Sequence, residues 1–352
     1  MNSSWSDFLV SRGASFDLGA VASFGAPAEE LAAASDAAVV CDLSPSAVLQ
    51  VAGPDATVFL QGQFTNDVAV LAPDAAEYGA WCSPKGRMLV NFLIRRSGEA
   101  SYELVLPASL CDTIAKRLRM FVLRSRVTVS DASSATVRLG VGGPGASEAI
   151  RTALGSAPAV HRAAVHGEAI IVALPGPRYV VAAGPDGASA CWTRLAHAAR
   201  PAGFATWRWL TIRAGIPVIN PATADLFVPQ AVNWDALGGI SFQKGCYAGQ
   251  EIVARTQYLG RLKERLALAH LDAAPPEPGA RLYSTAFGEQ ACGTIVDAAH
   301  APGGGSDALA VLQIAASESG DVRLGASAGS PLRLLALPYA LPAPAAPRGR
   351  IA

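Results

Sequence analysis

The stretch from Tyr78 to Leu106 constrains the fold most. It holds three apolar runs of strand length, 78–82, 88–95 and 101–106, joined by Ser83-Pro84-Lys85-Gly86-Arg87 and by a turn at Ser97-Gly98. Parallel neighbours need a crossover of about a dozen residues or more, usually a helix. These connections are far shorter, so the three strands are expected as an antiparallel meander and a run of βαβ units is excluded. Helices are expected around it. One runs over 27–34 with Pro27 and acids in its first turn, one opens at Gly53-Pro54-Asp55 after a strand at 48–51, and one covers 108–120. The residues before Pro27 read as a loose arm.

From 127 to about 200 the pattern recurs in kind. Strands are expected at 137–141, 169–173 and 179–183, with helices over 146–154 and 188–199, which makes a second small α+β unit. A tryptophan-rich helix follows over 204–213. Past residue 261, short apolar stretches at 266–271, 291–296, 308–314 and 332–337, broken by Pro275-Pro276 and Gly303-Gly304-Gly305, indicate a β-barrel or sandwich. The Pro/Ala-rich end reads as a tail. A chain of 352 residues is long for one core. The expected division is a first unit over 1–126 completed by 204–260, a second over 127–203, a C-terminal barrel over 261–340, and a tail over 341–352.

Charge excludes some partners. Lys and Arg number 28, as do Asp and Glu, so no overall field draws in nucleic acid or an anionic membrane. The apolar runs fall well short of the ~20 residues that span a bilayer. Asp7, Arg12 and Asp17 interrupt any signal-peptide pattern, and six scattered cysteines without a Cys-x-x-Cys fit reduced thiols, so a cytoplasmic location is expected. None of the five histidines lies within four residues of a cysteine, and no local metal site is expected.

The special chemistry gathers in Lys244-Gly245-Cys246-Tyr247-Ala248-Gly249-Gln250-Glu251. The segment from Tyr247 to Arg255 reads as helical apart from Gly249, so Cys246 is expected at a helix N-terminus beside Lys244, where dipole and cation favour a thiolate. The plainer alternative is a small buried cysteine at a crowded turn. Lys116, Arg117, Arg119, Arg124 and Arg126 surround the apolar Met120-Phe121-Val122-Leu123. Such a run is most often a solvated helix face. The sharper reading is a docking strip for a polyglutamate tail, an acidic partner or RNA, with RNA least supported; Arg255, Arg261 and Lys263 are similarly placed near Cys246. Asp225, Asp235 and Glu251 have no spacing that specifies a carboxylate site, and solvated or capping roles are expected for them.

The Cys246 octapeptide resembles the signature of the YgfZ family, and supporting stretches occur in order. These are Phe59-Leu60-Gln61-Gly62-Gln63-Phe64-Thr65-Asn66-Asp67-Val68, Pro84-Lys85-Gly86-Arg87-Met88, Ala214-Gly215-Ile216-Pro217-Val218 and Phe227-Val228-Pro229-Gln230-Ala231-Val232-Asn233. The resemblance implies an α+β, T-protein-like folate-binding fold: two small α+β units in a ring-like arrangement with a C-terminal β-barrel. It implies tetrahydrofolate as ligand, support of iron–sulfur enzymes including those of tRNA modification, and Cys246 as the working thiol, with a cluster held at most in transit. The implied partners are folate and iron–sulfur client or assembly proteins, without direct nucleic-acid binding. Trp207 falls where the family has a pocket tryptophan, and Arg213 and Arg255 complete the expected folate contacts. Lys244, Gly245, Tyr247, Gly249, Gln250 and Glu251 support the motif.

The sequence departs from the related glycine-cleavage T protein where transfer chemistry lies. Leu89 and Val90 stand at its paired aspartates, Arg213 at its glutamate and Cys246 at an aspartate, so an accessory role is favoured over one-carbon transfer. A tetrahydrofolate-dependent aminomethyl or methyl transferase is the alternative. A scaffold that binds no folate is the third.

Overall fold

The computed structural model describes residues 3–258 and 262–342. The meander forms as its short connections require. Ala76–Cys82, Met88–Gly98 and Ser101–Pro107 pair antiparallel in order, and the sheet continues through Ser46–Ala52 to Thr128–Asp131. Alternation along Ser101–Pro107 buries Tyr102, Leu104 and Leu106. The helix Ala108–Arg119 buries Leu110, Cys111, Ile114, Ala115 and Leu118, a stripe at three- and four-residue steps that faces this sheet.

The second sheet has six strands in the order Ala163–His166, Ala169–Leu174, Arg178–Ala183, Val137–Gly142, Val39–Asp42, Arg200–Ala202. Here two sequence expectations are corrected. The N-terminal residues are no loose arm: they form the helix Ser3–Ser11 and a hairpin of Ser15–Asp17 with Ala20–Ser23. Trp5 and Leu9 enter the same core as Ile150 and Trp192, and Trp5 Nε1 donates to Asp42 Oδ1 at 2.8 Å. The strand Val39–Asp42, unforeseen, inserts between Val137–Gly142 and Arg200–Ala202. The sheet of the 127–203 unit therefore crosses the expected division and recruits a strand from 1–126. Val39–Asp42 is buried at every position, so it lacks the period-two alternation by which a half-exposed strand is read.

The third sheet is antiparallel, in the order Arg323–Leu324, Arg281–Tyr283, Ala291–His300, Ser306–Gln313, Glu264–Leu271, Arg333–Leu335. It is a half-barrel whose outer strand Arg323–Leu324 is bridged to Pro331, just before Arg333–Leu335, with Leu324 N donating to Ser330 O at 2.9 Å and Leu332 N to Val322 O at 2.8 Å. The helix Phe204–Arg213 lies between the second and third sheets. Trp209 Nε1 donates to Asp307 Oδ2 at 2.9 Å on the third-sheet side, while Trp207 packs its indole on Gly140 of the second. Each indole thus meets a different sheet, and both are buried. Beyond Pro338 the chain has no helix or strand up to 342, but Tyr339 Oη donates to Gly215 O at 2.8 Å; the rest of the expected tail lies outside the described residues. No helix is long and apolar enough to cross a membrane among the described residues.

Candidate functional site

Three sequence stretches meet at the turn between the first two meander strands. Ser83 N donates to Arg87 O and Gly86 N to Ser83 O, both at 2.8 Å, which closes the turn. Ser83 Oγ donates to Asp225 Oδ1 at 2.7 Å. The helix Gln250–Tyr258 lies against the same turn because two glycines allow it. A Cβ on Gly249 would stand 2.4 Å from Ser83 O and 2.9 Å from Gly86 Cα, and one on Gly86 would stand 2.7 Å from Ile252 Cβ. Gln230 Nε2 then donates to Val253 O at 2.7 Å and fixes the helix from the other side. Asp235, expected to be solvated, is instead a buried partner of Arg265 through two hydrogen bonds at 2.7 and 2.9 Å.

Cys246 lies in this assembly but not where a helix dipole would act on it. The helix starts at Gln250, four residues later, since Gly249 has a φ of 79° and breaks the helical path expected from Tyr247 onward. Lys244 does not serve the thiol either. Its ammonium is buried and donates to Phe64 O and Asn66 O, each at 2.7 Å, beneath the Tyr247 ring. Desolvation lowers its pKa to about 8, partly offset by Asp67. What distinguishes Cys246 is access: it is the exposed cysteine, and Cys41, Cys82, Cys111, Cys191 and Cys292 are all buried. Burial pushes each of those five thiols up, Cys111 to about 11.

Lys244 ties the thiol segment to an unusual interior group. Asn66 is 2% exposed, and neither its amide nitrogen nor its oxygen has a hydrogen-bond partner among the described residues. A buried carboxamide of this kind is rare, because each unmet group costs roughly 1–3 kcal/mol. Its room comes from Gly79, where a Cβ would fall 2.4 Å from Asn66 Oδ1. Glu77 is the neighbouring acid; desolvation raises its pKa, and the nearby Asn66 amide eases that without a hydrogen bond of full geometry. Trp234 Nε1, pressed against Gly239, also has no hydrogen-bond partner among the described residues, and its ring stands 5.2 Å from that of Tyr78.

The expected folate contacts are distributed differently from the sequence reading. No hydrogen bond, ion pair or ring contact joins Trp207, Arg213 and Arg255 among the described residues. Trp207 is walled by Gly140 on one side and has the Arg178 guanidinium 5.5 Å from its ring centroid. Arg213 reaches Asp307 of the third sheet at 3.6 Å, and Arg255 is exposed on its helix. Arg261 lies outside the described residues. Glu251 is exposed in the first turn of its helix, and Gln250 Oε1 accepts from Tyr247 N at 3.3 Å. Arg178 was not foreseen. It is 2% exposed, has no carboxylate within ion-pair distance among the described residues, and gives its N–H groups to Pro175 O and Thr211 Oγ1. Only its tertiary surroundings mark it, since an arginine opening a strand reads as an edge residue. Asn66 sat inside a quoted motif, but nothing local signalled that it would be buried. Leu89 and Val90 are buried apolar residues, so neither brings an acid to the site.

This architecture is that of the T-protein class of α+β proteins. The structure aligns with glycine cleavage system aminomethyltransferase T from Bartonella henselae at a TM-score of 0.76, with 17% identity, over 96% of this chain and 97% of that one. Residues 11–174 match the family model described as the GCVT N-terminal domain. The chain is 33% identical over 315 residues to tRNA-modifying protein YgfZ of Pectobacterium carotovorum, covering 88% of this chain and 94% of that protein. It is 37% identical to the same-named protein of Sodalis glossinidius over 66% of this chain and 72% of that one. The chain belongs to the YgfZ family.

Proposed function

We propose that this protein is a tetrahydrofolate-binding accessory factor for tRNA modification that acts through the thiol of Cys246, with iron–sulfur enzymes as its clients. The observation that carries the folate part is Asn66. A buried carboxamide with donor and acceptor both unmet fits the lactam edge of a pterin, which offers one N–H and one C=O side by side. Asn66 O also holds Lys244, two residues from Cys246, so a ligand on the carboxamide would lie in the same assembly as the thiol. The tRNA-modification part follows the names of the relatives. The iron–sulfur part is the expectation attached to an accessible soft thiol, which suits a cluster or its iron as cargo.

The test uses two variants. Asn66→Ala should weaken tetrahydrofolate binding by about tenfold, the equivalent of one good hydrogen-bonded pair, with Cys246 alkylation unchanged. Cys246→Ser should keep folate binding yet fail to restore thiomethylated tRNA and aconitase-type activity in cells lacking the native protein, because a hydroxyl is neither ionised nor soft near neutral pH. An unchanged folate affinity in Asn66→Ala, or full restoration by Cys246→Ser, would overturn the corresponding half. For the transferase reading the acid nearest the Asn66 carboxamide is Glu77. A one-carbon transfer assay with aminomethyl donors, comparing the wild type with Glu77→Gln, decides it.

A further inference from the structure

The turn that follows the helix Ala108–Arg119 presents an apolar tip with a basic rim. Met120 is 67% exposed, Phe121 44% and Leu123 88%. The tip is held out by the fold. Phe121 N donates to Leu118 O, Val122 N to Arg119 O and Ser125 N to Val122 O, at 3.0, 3.1 and 2.8 Å, and Val122 is partly buried against the core. Leu123 has a φ of 44°, a left-handed conformation unfavourable for a leucine. An aliphatic side chain that is exposed and held in a strained backbone has no stabilising role in the free protein, which directs attention to a bound state.

Charge around the tip is one-sided. Lys116, Arg117, Arg119, Arg124 and Arg126 supply five cations, against which Asp112 pairs with Lys116 and Asp55 with Arg126. Arg119 spends one N–H on Val129 O, and Arg124 has no side-chain partner among the described residues. The chain as a whole has zero net charge, so the excess is local.

The tip is linked through packed residues to the segment that carries the thiol. Phe121 meets Trp81 edge-on at 5.8 Å, and the Arg117 guanidinium lies 5.7 Å from the Trp81 ring centroid. Trp81 forms a backbone bridge with Phe64, whose carbonyl takes the Lys244 ammonium two residues before Cys246. We propose that Met120, Phe121 and Leu123, with Arg119 and Arg124, form a docking surface for an acidic amphipathic segment of a protein partner, positioned to deliver that partner to Cys246. This rests on the proposed role of Cys246 as the working thiol. An acidic amphipathic helix would bury all three apolar side chains and neutralise the rim. Nucleic acid would meet the arginines but leave Met120 and Leu123 in water.

The probe is a fluorescein-labelled helical peptide with leucines on one face, glutamates on the other and a C-terminal cysteine activated as its 2-pyridyl disulfide. The Cys246 thiolate attacks the peptide sulfur, a mixed disulfide forms, and pyridine-2-thione leaves with the proton, which its absorbance reports. The full-length protein should react at least about tenfold faster with this peptide than with its Leu→Ser version. Leu123→Ser with Arg124→Glu should abolish the difference, while reaction with free 2,2′-dipyridyl disulfide stays as in the wild type. Equal rates for the two peptides, or a rate advantage that survives the double variant, would overturn the proposal. So would binding of tRNA or of phosphatidylglycerol vesicles that depends on Leu123 and Arg124 when peptide reaction does not. The measurements need no folate, so failure of tetrahydrofolate to bind the wild type is a separate result.

Discussion

Replacing Gly249 by alanine tests whether the Cys246 segment is locked to the hairpin turn. Gly249 has a φ of 79°, and a left-handed backbone costs a residue with a Cβ roughly 1–2 kcal/mol. The added methyl would also stand 2.4 Å from Ser83 O and 2.9 Å from Gly86 Cα. Both are backbone atoms that cannot swing aside, so forcing them apart adds about 1–3 kcal/mol, and Gly249→Ala should destabilise by about 2–5 kcal/mol. Gly320 is the control. Its backbone is left-handed with a φ of 70° and a Cβ there meets nothing within 4 Å, so Gly320→Ala should carry the backbone cost alone. Urea unfolding of both variants gives the difference, and hydrogen exchange should rise locally over 83–87 and 244–258 in the Gly249 variant. If Gly249→Ala proves no more destabilising than Gly320→Ala, the close approach of helix and turn is not a source of order at this site.

Cys246 should be alkylated at least about tenfold faster than any other cysteine in native protein, since the other five are buried thiols that react only on opening; peptide mapping after brief iodoacetamide treatment checks this. Lys244 is depressed from 10.5 to about 8, so between those pH values its own contribution to stability grows with pH, against the five buried thiols, whose raised pKa values make stability fall as the unfolded thiols ionise. Unfolding at pH 7.5 and 9.5 should therefore show a larger net loss in Lys244→Met than in the wild type. Trp207→Ala should destabilise by about 3–5 kcal/mol, the usual result of emptying a buried aromatic site, because its indole is packed on Gly140. A loss under about 1 kcal/mol would indicate that the indole is free to serve a ligand.

How much the sequence determined differs from place to place, for physical reasons. The antiparallel meander was legible because two short connections leave no other pairing, and the helix Ala146–Leu154 because its apolar positions repeat at helical spacing. The Cys246 octapeptide pointed to a candidate site on its own, and stretches named with it fold around it. Local pattern could not reveal Val39–Asp42, buried on both faces, nor the docking of the N-terminal helix through Trp5, because both depend on partners far away in the chain. It also put Lys244 beside the thiol, when the ammonium turns inward to Phe64 O and Asn66 O. Hydrogen-bond satisfaction and burial belong to the whole fold. Only the tertiary structure could therefore show that, among the described residues, the Asn66 carboxamide is unpaired inside and Arg178 is buried without a carboxylate, and that Cys246 alone of the six thiols is exposed.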